Sequence, residues 1–354
     1  VAFATALSAH PISSHATGEV VGQLLEAVGA HQDLLVLLAT PGHRGALEDI
    51  VATARRLLAP GLLLAAVSTG LGTGDEYIAR GPGLAAWSAS CGPVVAAGPG
   101  EALPFRPVGA ITLGTGTPGP DAAGWRRQGV PVAAGAVDGP VIVDGPEAGH
   151  GSSTGDGPVG IVFGPDSGFR TAVVHGLRGL GPGLTVTRAD GTMVYELDGQ
   201  PALHRLFDVA RDGMPAADLP RLAEGLHLRV AATGTDADAD PLAVLGADRD
   251  NGAIAVHGPV RAGAVVQFAR ADPDALRAAL VRSFGPAPRG ALVLSPAGRG
   301  LAGPDDRGSG DDGFVEPPSA LSTSTLVVAT HLPPSATVGR SADHLTATTV
   351  AYFT

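Results

Sequence analysis

The sequence predicts an α/β fold of the mixed α+β kind: two related lobes from an internal duplication, with mixed sheets flanked by helices. Three observations carry that reading. The first hundred residues alternate helical stripes with short apolar strands, the last seventy repeat three of those segments in the same order, and the middle contains a β-hairpin that runs into a helix.

Val20, Val21, Leu24, Leu25 and Val28 recur at helical spacing, and Gly29 closes the stripe. Residues 34–39 form an apolar run of strand length. Leu47, Ile50, Val51, Ala54, Leu57 and Leu58 make a second stripe that Pro60 stops, and residues 62–67 are another strand. A strand, a helix and a strand joined by short loops favour a parallel pair with a right-handed crossover. Residues 68–77 (STGLGTGDEY) then read as a loop at a strand's end, where open sheets of this kind place ligand contacts.

Residues 98–157 are so rich in Gly and Pro that they read mainly as loop, with short strands at 108–113 and 141–143 and a mobile surface loop at 147–157. Strands resume at 159–163 and 169–175. Residues 185–188 and 193–197 flank Ala189-Asp190-Gly191-Thr192, and Asp-Gly tolerates the positive φ angles of a type I′ turn, so the two runs read as a hairpin. Asp198-Gly199 ends its second strand, and Ala202, Leu203, Leu206, Val209 and Ala210 then recur as a helix. Strands at 227–232, 253–256 and 264–269 precede a helix through Ala275, Leu276, Ala279, Leu280 and Phe284, which opens at Asp272-Pro273.

The end of the chain repeats its beginning. Residues 289–300 (RGALVLSPAGRG) parallel 33–45 (DLLVLLATPGHRG), residues 324–339 parallel 62–74, and residues 345–353 parallel 84–90. Where the second copy calls for a crossover helix, residues 301–324 have Gly, Pro and Asp instead and read as an irregular loop.

Composition narrows the function. At 354 residues the chain holds two domains or one duplicated domain. A net charge of −11, with no Lys and scattered Arg, argues against nucleic acid as a partner, because phosphate binding needs clustered cations. One cysteine, Cys91, leaves no intrachain disulfide or multi-cysteine zinc site. The 11 His show no metal-ligand spacing, so no metal and no cofactor is expected. The start has no basic region ahead of an apolar core, and no apolar run approaches the ~20 residues that span a bilayer, so no membrane partner and a cytoplasmic location are expected.

Residues 179–206 (GLGPGLTVTRADGTMVYELDGQPALHRL) resemble the joint between the two halves of the FIST family. Residues 246–254 (GADRDNGAI), 267–280 (QFARADPDALRAAL) and Gly298-Arg299-Gly300 add to the resemblance, which spans nearly the whole chain. It implies a FIST N-terminal-like domain over residues 1–205 and a C-terminal-like domain over 206–354. It also implies a sensor that binds a small, amino-acid-like ligand between two related halves. Such sensors are often fused to signalling output modules; none is present in this sequence, so a separate signalling protein is the expected partner. The resemblance implies thiols where this chain has Val67, Leu177 and Pro296, so any role that depends on them is absent. A late Gly-rich motif is likewise replaced by His331-Leu332-Pro333-Pro334-Ser335.

Each candidate has a plainer reading beside it. Ser68, Thr69, Gly70, Gly72 and Gly74 offer backbone amides and hydroxyls to an anion, and a Gly-rich turn has the same composition. Arg299 can grip a carboxylate in bidentate fashion, as can any solvated or structurally paired Arg be read. His43 and His344 are candidate ligand contacts or structural histidines. Ser295 with His344 and Asp343 has the residue types of a small-substrate hydrolase but no G-x-S-x-G elbow, and no catalytic residue is assigned. Gly114, Gly116 and Gly119 match a dinucleotide fingerprint, but with 52 Gly about one match arises by chance, and Pro118 and Pro120 are expected to spoil the receiving helix. Asp236, Asp238 and Asp240 resemble a calcium loop, yet Pro241 stands where the loop needs Gly. The reading is a sensor of a small polar metabolite; the alternatives are the hydrolase and a degenerate interaction protein that no longer binds.

Overall fold

The computed structural model describes residues 2–73, 76–78, 80–115, 119–139, 141–145, 153–155, 159–213, 226–230, 241–284, 288–296, 325–330 and 347–354. They divide into two compact units. Described residues of 1–174, 277–336 and 347–354 form the first, and those of 175–276 the second.

The first unit holds three mixed sheets. The first sheet has the order β1 (Phe3–Ser8), β6 (Leu84–Ala89), β2 (Leu34–Ala39), β3 (Leu62–Val67), β10 (Val141–Asp144), β11 (Ser153–Gly155). The second runs β7 (Val94–Ala96), β12 (Val159–Phe163), β8 (Gly109–Thr115), β9 (Val132–Val137). The third runs β13 (Phe169–His175), β23 (Ala347–Phe353), β21 (Gly290–Pro296), β22 (Thr325–Thr330), β4 (Gly70–Thr73), β5 (Glu76–Ile78). One motif recurs in all three: a parallel pair (β2–β3, β8–β9, β21–β22), an antiparallel return strand beside the first member (β6, β12, β23), and an edge strand outside it. The duplication read from the sequence relates the first and third sheets, both in this unit, and the second sheet has the same strand arrangement without a matching sequence repeat.

Two copies each donate a hairpin to another sheet, the first copy to the third sheet and the second copy to the first. After β3 the chain leaves its own sheet, and β4 pairs antiparallel with β22 of the third sheet before β6 returns. After β9 the chain likewise supplies β10 to β3 of the first sheet before β12 returns.

β2 and β3 are apolar at every position because both faces are covered. Leu34, Val36 and Leu38 enter the core shared by the three sheets, while Leu35, Leu37 and Ala39 meet α1 (Ser13–Val28) and α2 (Leu47–Leu58). Each such side chain contributes roughly 1.5–3 kcal/mol on burial. Gly29 ends α1 at φ 75°, and α2 carries Glu48 and Asp49 in its first turn and Arg55 and Arg56 in its last, complementing its dipole. The free edge of β1 is covered by Gln23, whose side-chain amide bonds the Leu7 N–H and C=O at 3.2 Å each.

The shared core closes on five aromatic rings, Phe3, Trp87, Phe163, Phe169 and Phe353. Gly109 and Gly290, which open β8 and β21, leave room for them. A Cβ on Gly109 would stand 1.9 Å from Phe169, and one on Gly290 2.5 Å from Phe3.

Residues 98–157 depart from the expected loop. The strands expected at 108–113 and 141–143 are present as β8 and β10, and β9, β11 and a helix, α3 (Gly119–Arg127), between the parallel β8 and β9 are added to them. Pro120 does not prevent α3, since it falls in the helix's first turn, where proline's missing N–H costs nothing. Within 147–157, Ser153–Gly155 pairs with β10 as β11, which corrects that part of the mobile-loop reading.

The second unit is antiparallel throughout. β14 (Leu177–Asp190), β20 (Val265–Ala271), β17 (Leu226–Val230), β18 (Leu242–Asp248), β19 (Ala253–Val256) and β15 (Met193–Leu197) follow in order, and β14–β15 pairing closes them into a barrel. β16 (Gln200–Pro201) adds to β15, and α4 (Ala202–Gly213) supplies Leu206, Val209 and Ala210 to the barrel core. The hairpin is present, but its turn differs from expectation. Asp190 pairs with Met193, so the two loop residues are Gly191 and Thr192, and only Gly191 has positive φ, the II′ pattern; the Asp198-Gly199 turn has positive φ at both residues, as I′ requires. In chain order the whole barrel is an insertion between β13 and α5 (Pro273–Phe284), the helix that precedes β21. Residues 301–324 lie outside the described residues.

Candidate functional site

The polar residues of interest in the first unit collect at the C-terminal ends of its parallel strands. After β2, Thr40 is buried: its Oγ1 donates to the Gly81 carbonyl at 2.8 Å and accepts the Gly83 N–H at 2.8 Å. A short 3-10 helix, Pro41–Ala46, then carries His43 and Arg44. Arg44 reaches Asp138 beyond β9, at 2.6 Å to its carboxylate and 2.8 Å to its carbonyl. His43 is 1% exposed, and one ring nitrogen, Nδ1, lies 2.9 Å from Ser13 Oγ at the start of α1. Its Nε2 is buried with no hydrogen-bond partner. Burial holds the imidazole below its ordinary range, the backbone of His10 opposes that, and the charge of His10 adds to it.

Sequence reading placed Ser68 to Gly74 in an open loop, and the structure corrects this. Ser68 is buried, with its N–H on the Ala39 carbonyl at 2.8 Å and its Oγ on the Gly70 carbonyl at 3.0 Å. Gly70 and Gly72 belong to β4, where Leu71 to Thr73 have a partner strand on each side. Gly72 is held in two ladders and Gly70 in one, so what these glycines offer a ligand is chiefly an absent side chain. Thr69 is half-buried between Ser68 and β4.

Ser295, near the end of β21, is brought to the same place. It pairs across to Ala329 of β22, which pairs with Gly70, so Ser295 and Gly70 stand in one row two strands apart, about 10 Å. Leu294 and Leu71 face the shared core, and by alternation Ser295, Gly70 and Gly72 take the outer face. Ser295 Oγ lies 3.2 Å from Thr348 Oγ1 of β23, with both residues buried. Thr348 is the residue that sequence reasoning missed, since a threonine in a strand has no signature. Arg299, His344, Asp343 and Gly74 lie outside the described residues, as do Asp236, Asp238 and Asp240.

The dinucleotide fingerprint does stand between a strand and a helix, contrary to expectation, with Gly114 in β8 and Gly119 opening α3. Asp138, placed after β9 where such sites use an acid on the ribose, is already held by Arg44. Cys91 is buried, and its thiol is pushed up to about 12 by desolvation and the nearby Asp33, so it is inert. Among the described residues no group of His, Cys, Asp and Glu is placed to hold a metal ion, and no helix is long and apolar enough to cross a membrane.

Three mixed sheets share one core, polar side chains stand at the parallel-strand ends, and a barrel is inserted between β13 and α5. The FIST N domain matches residues 33–200 and the FIST C domain residues 202–310, and the chain belongs to the FIST family. An uncharacterized protein of Mycobacterium tuberculosis is 30% identical over 328 residues, covering 78% of this chain and 79% of the relative. An uncharacterized protein of Mycobacterium bovis is 28% identical over 327 residues, covering 82% and 83%. FIST domains are of a proposed sensory, ligand-binding kind.

Proposed function

We propose that the chain binds a small polar metabolite, amino-acid-like in carrying a carboxylate, at the outer face of the third sheet. The observation that carries this is the Ser295–Thr348 hydroxyl pair, buried at the C-terminal end of a parallel strand and in one row with Gly70. Buried hydroxyls orient a ligand, and Gly70 and Gly72 bring no side chain to the same face of the sheet. Ser68 and Thr69 lead into that row, and Arg299, four residues after Ser295, supplies the charge for a carboxylate. His344 precedes Thr348 by four residues and joins the set on sequence alone, while His43 belongs to the separate cluster at α1. Signal output passes to a separate protein, in the cytoplasm. The hydrolase alternative draws less support, because no G-x-S-x-G elbow surrounds Ser295.

The test is a thermal-shift screen of amino acids and related carboxylates. Ligand at a hundredfold its Kd adds about 2.7 kcal/mol to the folded state. A shift that Ser295→Ala weakens and Gly72→Val abolishes supports the site; no shift across the library overturns it.

A further inference from the structure

Ser13 and His43 lie away from the row just described and carry chemistry of their own. Ser13 Oγ is 2.9 Å from His43 Nδ1, the distance of a nucleophile from its base. A histidine kept only for structure normally satisfies both ring nitrogens. Here Nε2 is buried without a hydrogen-bond partner, and the ring is held by packing, by its bond to Ser13 and by the backbone of His10. Burial also keeps the imidazole in its neutral, proton-accepting form.

The surroundings suit acyl chemistry. Ser13 is half-buried, and Ser14 and His15 beside it are exposed, so the hydroxyl can be reached. Ser13 is also the first residue of the sixteen-residue α1, which has no side-chain cap and no acid in its first turn; Ala16 is the first N–H bonded back, to the Ile12 carbonyl at 3.0 Å. The amides of Ser13, Ser14 and His15 precede it in the first turn, where a helix leaves its N–H groups without an intrahelical acceptor and favours negative charge. Ile12, 54% exposed, offers an apolar wall for the acyl group. The other titratable groups nearby are His10 and His15, whose rings stack at 4.7 Å, and Glu19, which Ser8 holds by a hydrogen bond.

We propose that Ser13 and His43 are a nucleophile–base pair acting on small carboxylic esters at the N-terminus of α1. Ser13 Oγ bonds to the acyl carbon as its proton passes to His43 Nδ1. The ester C–O bond then breaks, and the leaving alcohol takes that proton. Water, deprotonated by His43, cleaves the acyl-serine to release the acid and restore Ser13. The proposal does not rest on the ligand reading at Ser295.

The experiment is labelling of the full chain with diisopropyl fluorophosphate, which forms an Oγ–P bond and releases fluoride, read by intact mass and peptide mapping. One adduct on Ser13, absent from Ser13→Ala, is expected, and 4-nitrophenyl acetate hydrolysis should fall about tenfold or more in that variant. His43→Gln tests the base but removes a core side chain, so Ser13→Cys is the companion. Its thiol should react with iodoacetamide at neutral pH faster than a free cysteine, as a thiol paired with imidazole does. No adduct, or an adduct only elsewhere, on protein that still melts cooperatively would overturn the assignment, as would a Ser13→Cys thiol no faster than free cysteine.

Discussion

Phe353→Ala removes the ring at the centre of the three-sheet core. Phe353 is fully buried, and its ring centroid lies 5.1 Å from Phe3, 5.5 Å from Trp87, 5.3 Å from Phe163 and 5.5 Å from Phe169. A buried Phe→Ala change costs about 3–5 kcal/mol, part transfer and part cavity. Aromatic pairs add roughly 0.5–1.5 kcal/mol beyond area, and four are lost together, so the upper end, about 5 kcal/mol, is expected. Urea unfolding followed by tryptophan fluorescence measures it directly. Both tryptophans, Trp87 and Trp125, are in the first unit, so the signal reports the unit that holds the mutation. A loss below about 2 kcal/mol at unchanged m would refute a shared core, because three sheets that pack separately could each lose their edge of Phe353 cheaply.

Gly109→Ala should lower the melting temperature by several degrees, since its Cβ would stand 1.9 Å from the Phe169 ring and overpacking costs about 1–3 kcal/mol; an unchanged midpoint would place the ring elsewhere. His43 gives a pH signature. Its folded pKa lies below the ordinary 6.5, so the folded chain binds fewer protons there than the unfolded chain. Its contribution is complete above about 6.5 and is lost as pH falls, at up to about 1.4 kcal/mol per pH unit, and equal slopes for wild type and His43→Gln between pH 7 and 5 would contradict its burial as a neutral ring.

The parallel pairs were legible because strands covered on both faces are apolar throughout: LLVLLA and LLLAAV in the first sheet admit little else. β4 was not, since Gly70 and Gly72 carry a loop's composition, and only the strand waiting in another sheet makes them a strand. α3 was hidden by Pro118 and Pro120 in the sequence; Pro120 is tolerated because it falls in the first turn and not one turn later. At the site, Ser295 and His43 could be singled out by residue type, but their partners could not. Thr348 is 53 residues from Ser295 and Ser13 is 30 residues from His43, with no spacing motif to link either pair.

Hairpin donation joins these points. Leu71 comes from the first repeat, sits in the third sheet, and is fully buried in the core common to all three. Neither the first nor the third sheet is therefore complete without strands that the chain supplies from a different copy, and long-range pairing of that kind costs loop-closure entropy before its contacts form. The same donation bears on sensing. Ser295 and Thr348 belong to the third repeat, whereas Gly70 and Gly72 arrive from the first. A ligand seated across that row would touch both copies at once, and its affinity would depend on how β4 lies against β22. Binding there would then favour one arrangement of the repeats over another, which is the differential affinity that any conformational signal requires.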